Sequence, residues 1–350
     1  MIRVCLTATL LTLGLLAPAF QQTEGASKSS ATASTARTSA PDEPRVLQPG
    51  SPKPVPVPPF SVFRESKCDS SGNLYFAVGG NTHRLGPLIE ISHDGGASTA
   101  FAPPTPEKLD PGDEIGFRDF AVTPSGRVYE LLQNTNEQGI VVIEFDSDGS
   151  VKHTTKPTTP DGLAVRSLTV FDDGTALLRG FIQRRSEADS AQAYVALFDA
   201  SGKLRKELTD FPDFHLSVLR TALQDEGIAV GQDANAYLLD ANFISVISES
   251  GEIVRRMPYQ KPDPALVARG LMLSDGLIAT RLMQVNGSEF TPRYLVVRAD
   301  TGETTGYYAL PGETPEMGVC FSRTGGFTFL TEPFLSRQNF KLALVNAPLR

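Results

Sequence analysis

Four arginines, one glutamate and one methionine stand at matched places in this chain. Arg64, Arg118 and Arg166 each lie eight residues before a glycine, at Gly72, Gly126 and Gly174. Glu226 lies eight before Ala234, Arg269 seven before Gly276, and Met317 eight before Gly325. If those positions converge, the guanidiniums make a bidentate site for carboxylate or phosphate, on a small ligand or on an acidic segment of a partner. The other reading is structural: each arginine pairs with a carboxylate such as Glu65, Asp119 or Glu226 and joins one element to the next. At the level of sequence both readings stay open.

Each matched residue opens a phrase that recurs six times. The copies are RESKCDSSGNLYFAV, RDFAVTPSGRVYELL, RSLTVFDDGTALLRG, EGIAVGQDANAYLLD, RGLMLSDGLIATR and MGVCFSRTGGFTFL. The first five are followed by a further strand and turn: PLIEISHDGG, IVVIEFDSDGS, AYVALFDASGK, FISVISESGE and YLVVRADTGE. The glycines of these outer turns, Gly95, Gly149, Gly202, Gly251 and Gly302, are 54, 53, 49 and 51 residues apart. Short apolar runs punctuated by Asp-Gly or Ser-Gly are strand and hairpin signals, and no stretch holds helical periodicity over a dozen residues. Four short strands repeating about every 50 residues predict an all-β fold, a six-bladed β-propeller with four-stranded antiparallel blades. The absence of Trp argues against WD-repeat and quinoprotein blades. After the sixth phrase only FKLALVN and a short tail remain. The outermost strand of the last blade is therefore expected from residues 44–62, where PVPVP and RVLQP are the candidates, since proline is tolerated on an outer edge.

The ends and the composition bound the setting. Arg3, the apolar run Val4–Leu16 and Ala17-Pro18-Ala19 have the layout of a secretory signal peptide over residues 1–19. Residues 20–59 are first rich in Ser, Thr and Ala, then in Pro, and read as a disordered linker. Residues 60–350 form the propeller. The expectation is an exported protein, periplasmic or secreted, monomeric, with no membrane insertion after cleavage. A net charge of −8 disfavours a nucleic-acid partner, which needs a basic footprint. Cys68 and Cys320 fall on the inner strands of the first and last blades, which are neighbours in a closed ring; a disulfide between them would staple the closure, but inner strands of adjacent blades are often too far apart for one, so two buried thiols are the favoured of two open readings.

DSSGNLYFAV, TPSGRVYELL and EGIAVGQDANAYLLD resemble the repeats of NHL-type propellers and of the regucalcin and gluconolactonase group. The resemblance implies that the matched residues ring the mouth of a central channel. It also implies a possible divalent cation, Ca²⁺ or another, held by a Glu of the first blade and by Asn and Asp of later ones. Glu65-Ser66 resembles the Glu motif, and Glu226-Gly227 stands in the place of Asn-Gly. Arg269-Gly270, however, replaces the Asp-Gly, and a guanidinium cannot ligate a cation.

Other candidates are weaker. Asp146-Ser147-Asp148-Gly149 has only a fragment of a calcium loop and reads as a hairpin turn. Pro160-Asp161-Gly162 reads as a loop. His83, His93, His153 and His215 lie apart, without zinc-ligand spacing. The expected function is a binding or interaction module without a cofactor. Its mouth suits a small anionic ligand or an unknown protein partner and is shaped by the connections near 79–87, 102–116, 133–139, 181–192 and 282–292. The alternative is a lactonase- or esterase-like hydrolase with a degenerate metal site at Glu65 and Glu226.

Overall fold

The computed structural model describes residues 43–55, 62–79, 85–104, 115–134, 139–183, 190–211, 214–215, 226–240, 242–284, 292–311, 318–322, 326–331 and 342–349. The expected signal peptide, residues 20–42 of the expected linker, Met317, His83 and most of the long connections lie outside the described residues, as do the side chains of Arg64, Glu65 and His215.

The described chain forms six antiparallel sheets, each ordered from an inner to an outer strand. Blade one runs Val62–Cys68, Leu74–Gly79, Leu85–Ile91 and Ser98–Phe101; blade two runs Ile115–Val122, Val128–Asn134, Ile140–Phe145 and Val151–Thr155. Blade three holds Leu163–Val170, Ala176–Gln183, Ser190–Phe198 and Leu204–Glu207, with Phe214–His215 paired to the start of its third strand. Blade four holds Gly227–Val230, Asn235–Leu239, Phe243–Ser248 and Ile253–Pro258. Blade five holds Leu266–Ser274, Leu277–Gln284, Arg293–Arg298 and Thr304–Ala309; blade six holds Gly318–Ser322, Gly326–Thr331 and Ala343–Pro348. The molecule is thus a six-bladed, all-β propeller.

Burial follows strand position within a blade. Val128–Asn134, second from the axis, is buried at every residue because both of its faces meet a neighbouring blade. That is why it reads as a continuous apolar run and not as an alternation. Val151–Thr155, at the rim, is almost wholly exposed, and its Lys and Thr residues suit an open edge. The core is distributed among the seams. Six apolar clusters each join one pair of adjacent blades, from blades one and two through to blades six and one. A closed ring needs just such a set.

The N-terminal segment runs along the rim of the last two blades. Arg45–Val46 pairs in parallel with Tyr308–Ala309 of blade five. Lys53–Pro54 pairs antiparallel with Ala343–Leu344 and forms the outer strand of blade six. Leu47 is buried in the seam between those blades, and Val55 packs into the seam between blades six and one.

One expectation is corrected. Cys68 and Cys320 are not free thiols; they form a disulfide with a Cα–Cα separation of 5.5 Å. That separation falls within the range a disulfide spans. Inner strands converge on the axis, so near this end of blades one and six the two backbones come closer than the rim spacing of blades implies.

Candidate functional site

The inner strands carry a shared irregularity at the matched positions. In blade two, Phe117 faces Leu132 while Asp119 faces Leu131, so Arg118 is an extra residue in the ladder. In blade three, Val165 faces Gly180 and Ser167 faces Arg179, which makes Arg166 the extra residue. Blade one shifts register between Phe63 and Ser66, across Arg64 and Glu65. Blade five shifts between Arg269 and Met272. A bulge bends the strand and re-aims its side chain. Here the bulges recur at one level of the ring and turn Arg118 and Arg166 toward the opening.

Between blades four and five the inner strands touch. The Glu226 N–H donates to Ala268 O at 2.9 Å, and the Gly270 N–H donates to Glu226 O at 2.7 Å. A Cβ on Gly227 would lie 2.7 Å from the Gly270 carbonyl carbon, so only glycine admits this approach.

The resulting mouth is a cavity of about 740 Å³, within the common range for small-molecule sites. Arg118, Arg166, Glu226 and Arg269 all line it. Sequence reasoning found those four, but it missed Lys67 and Arg281, and took Asp119 only as a possible arginine partner; all three also line the cavity. Arg281 lies directly across the ladder from Arg269, whose guanidinium is bound by the Glu226 carboxylate. Met317 falls outside the described residues, and Arg64 and Glu65 can be placed only by backbone, on the bulge of blade one. Lys67, three residues beyond Arg64 in the repeated phrase, was the available signal for a second layer.

The Glu226 carboxylate is held from three sides. Ser167 Oγ donates to Oε1 at 2.9 Å, Arg269 Nη1 to Oε2 at 3.1 Å, and Arg166 Nη2 lies 3.7 Å from Oε2. The carboxylate thereby aligns two guanidiniums that keep about a third of their side-chain surface open, 34% for Arg166 and 28% for Arg269.

The floor is a second ion pair. Lys67 Nζ lies 2.7 Å from Asp119 Oδ1, donates also to the carbonyls of Phe120 and Leu168, and sits 5.2 Å from the centre of the Phe120 ring. Asp119 accepts N–H bonds from Leu168 and Phe120, each at 2.7 Å. Burial pushes the Asp119 carboxyl up, and the Lys67 ammonium opposes that shift. Lys67 borders both the mouth and a smaller cavity of about 50 Å³ on the other side. Lys67 shares that position between the two cavities with Ile228, Leu271 and Met272.

Among the described residues, five basic and two acidic side chains line the mouth, a surplus of three positive charges. Such a site offers planar donors to carboxylate or phosphate. The half-buried Glu226 carboxylate is bound by arginine, and among the described residues no group of three acidic, His or Cys side chains is placed to hold a metal. The Asp146–Gly149 segment closes a hairpin through the Gly149 N–H to Asp146 O at 2.9 Å.

No protein-family model matches the chain, and no curated protein matches it significantly. Solved structures that align with it include regucalcin, a calcium-binding protein from Agrobacterium tumefaciens, at 13% identity over 87% of this chain and 97% of that one, TM-score 0.47. A gluconolactonase from Xanthomonas campestris aligns at 14% identity over 87% and 100% of the two chains, TM-score 0.45. A protein of unknown function from Bacteroides caccae aligns at 14% identity over 71% and 81%, TM-score 0.45.

Proposed function

We propose that this propeller is an exported binding module whose channel mouth takes a small anionic ligand or an acidic segment of a protein partner. One observation carries the reading: among the described residues, a surplus of three positive charges gathers in a single cavity on a chain of net charge −8. Export rests on the layout of residues 1–19.

The test is thermal stabilisation by phosphate and acetate at constant ionic strength. A ligand at a hundredfold its Kd adds about 2.7 kcal/mol, and the double variant Arg166→Ala/Arg269→Ala is expected to abolish the shift. Equal shifts in native and variant protein would show that the stabilisation does not come from the mouth.

A second reading, a lactone or ester hydrolase using Glu65 and Glu226, is kept by the position of the Glu226 carboxylate on the cavity wall. Its signature is different: a calcium-dependent rise in Tm that EDTA reverses, together with ring opening of a lactone. Were those two results found, the binding-module proposal would give way to it.

A further inference from the structure

Arginine stands at four of the six matched positions, and Glu226 takes the place between Arg166 and Arg269. Its backbone is pinned to blade five by two hydrogen bonds, to Ala268 O and from the Gly270 N–H. Its side chain can therefore move only by rotation about its own bonds. The carboxylate is not sealed in with its partners. Side-chain exposure is 19% for Glu226, 34% for Arg166 and 28% for Arg269, and all three border the same cavity of about 740 Å³. Ser167 and Arg269 hold the carboxylate by hydrogen bonds at 2.9 and 3.1 Å, whereas Arg166, at 3.7 Å, is beyond hydrogen-bond reach. Ion pairs this open to water are weak and are screened by salt.

We infer that Glu226 is a built-in stand-in for the ligand: its carboxylate occupies the clamp of Arg166, Ser167 and Arg269, and a carboxylate ligand binds by displacing it. This rests on the anion-binding reading above and deepens it by naming the group that the ligand replaces. The clamp offers guanidinium donors and a hydroxyl to a planar carboxylate, and the side chain that fills it is the chemical match of such a ligand. The two arginines are thus satisfied within the protein, and an incoming anion competes for them. An occupant of this kind weakens apparent affinity in proportion to the fraction of time it holds the clamp closed to the ligand. The cavity has the volume to take a small acid beside the released side chain.

Thermal-shift titration of the full chain with acetate at fixed ionic strength reads the competition. Glu226→Gln keeps the shape of the side chain and removes its charge. It should lower the apparent Kd about tenfold, the gain expected when the native carboxylate holds the clamp about nine-tenths of the time. Glu226→Asp keeps the charge but is one methylene shorter, so it loses its reach to the clamp and should gain affinity about threefold. It thereby separates displacement from the mere loss of a negative charge, which would favour any anion in the mouth. Adding Arg166→Ala and Arg269→Ala to Glu226→Gln should remove the gain. A native-like circular dichroism spectrum checks that each variant is folded. Equal or weaker acetate binding in Glu226→Gln, or a gain seen in Glu226→Gln and absent from Glu226→Asp, each overturn the stand-in and leave the anion site standing. If acetate stabilises neither the native protein nor Glu226→Gln, the anion-binding reading itself fails and this inference with it.

Discussion

Glu130 is the residue whose environment departs furthest from what its chemistry prefers. It stands in the second strand of blade two, fully buried, with neither carboxyl oxygen hydrogen-bonded. Phe120 and Ile143 face it across the sheet, and Val128 and Leu132 flank it on the same face. Burial alone pushes its pKa up to about 8. The unfolded chain would release that proton near pH 4.5, so the folded state binds the extra proton between the two values. Stability from this group is fully present at low pH and is lost as pH rises through the interval, by about 5 kcal/mol at 1.36 kcal/mol per unit. Urea denaturation at pH 5, 6.5 and 8 should show that slope in the native protein and a flatter one in Glu130→Gln. Parallel curves would mean that Glu130 keeps an ordinary pKa. The Lys67–Asp119 pair obeys a different rule. Lys67→Met removes one partner of a buried pair and leaves Asp119 uncompensated, a change expected to cost about 3–5 kcal/mol. Lys67→Met/Asp119→Asn should recover part of that loss by removing the buried charge, although the Leu168 and Phe120 N–H groups bind different carboxyl oxygens and one amide oxygen can meet only one of them.

At the scale of the element, the hairpin is the unit that repeats, and the departure at Ala234 is informative. Gly72, Gly126 and Gly174 hold the inner turns with φ of 85°, 84° and 89°, whereas Ala234 takes φ 56° at the equivalent place. A left-handed alanine costs about 1–2 kcal/mol, while glycine costs about 0.4–1 kcal/mol through the unfolded chain. Ala234→Gly should therefore raise the urea midpoint by the equivalent of about 0.5–1 kcal/mol, and Gly126→Ala should lower it by a similar amount. The same hairpins explain which features could be read in advance. Arg118, Arg166, Glu226 and Arg269 were legible because their distance to the turn is set by strand length, which a repeating phrase displays directly. Arg281 and the Lys67–Asp119 floor were not. Their inward aim depends on bulges, between Arg269 and Met272 for Arg281 and at Arg118 and across Arg64–Glu65 for the Lys67–Asp119 pair, and a bulge moves one residue out of an alternation without changing residue type. The disulfide was misread for a similar reason, since the distance between neighbouring inner strands belongs to the closed ring and not to any one blade.

At the scale of the whole molecule, the ring must join the beginning of its fold to the end, and three contacts do so at one seam. Leu74, Phe76 and Ile89 of blade one pack with Cys320, Leu330 and Leu344 of blade six. The Val319 N–H donates to Ser66 Oγ at 3.2 Å. The Cys68–Cys320 disulfide then links residues 252 apart in sequence. Closing so long a loop restricts the unfolded chain, and native disulfides contribute about 2–5 kcal/mol. The Cys68→Ala/Cys320→Ala variant should lose stability in that range, and dithiothreitol should lower the Tm of the native protein toward that of the variant while leaving the variant unchanged. The binding site gives this test a second arm. Ser66 borders the mouth whereas Cys68 borders the smaller cavity, so the staple and the arginines line different cavities. Any anion-induced rise in Tm should accordingly persist, nearly undiminished, in the cysteine-free variant. A rise that vanished with the disulfide would place ring closure, and not the local bulges, in control of the geometry of the mouth.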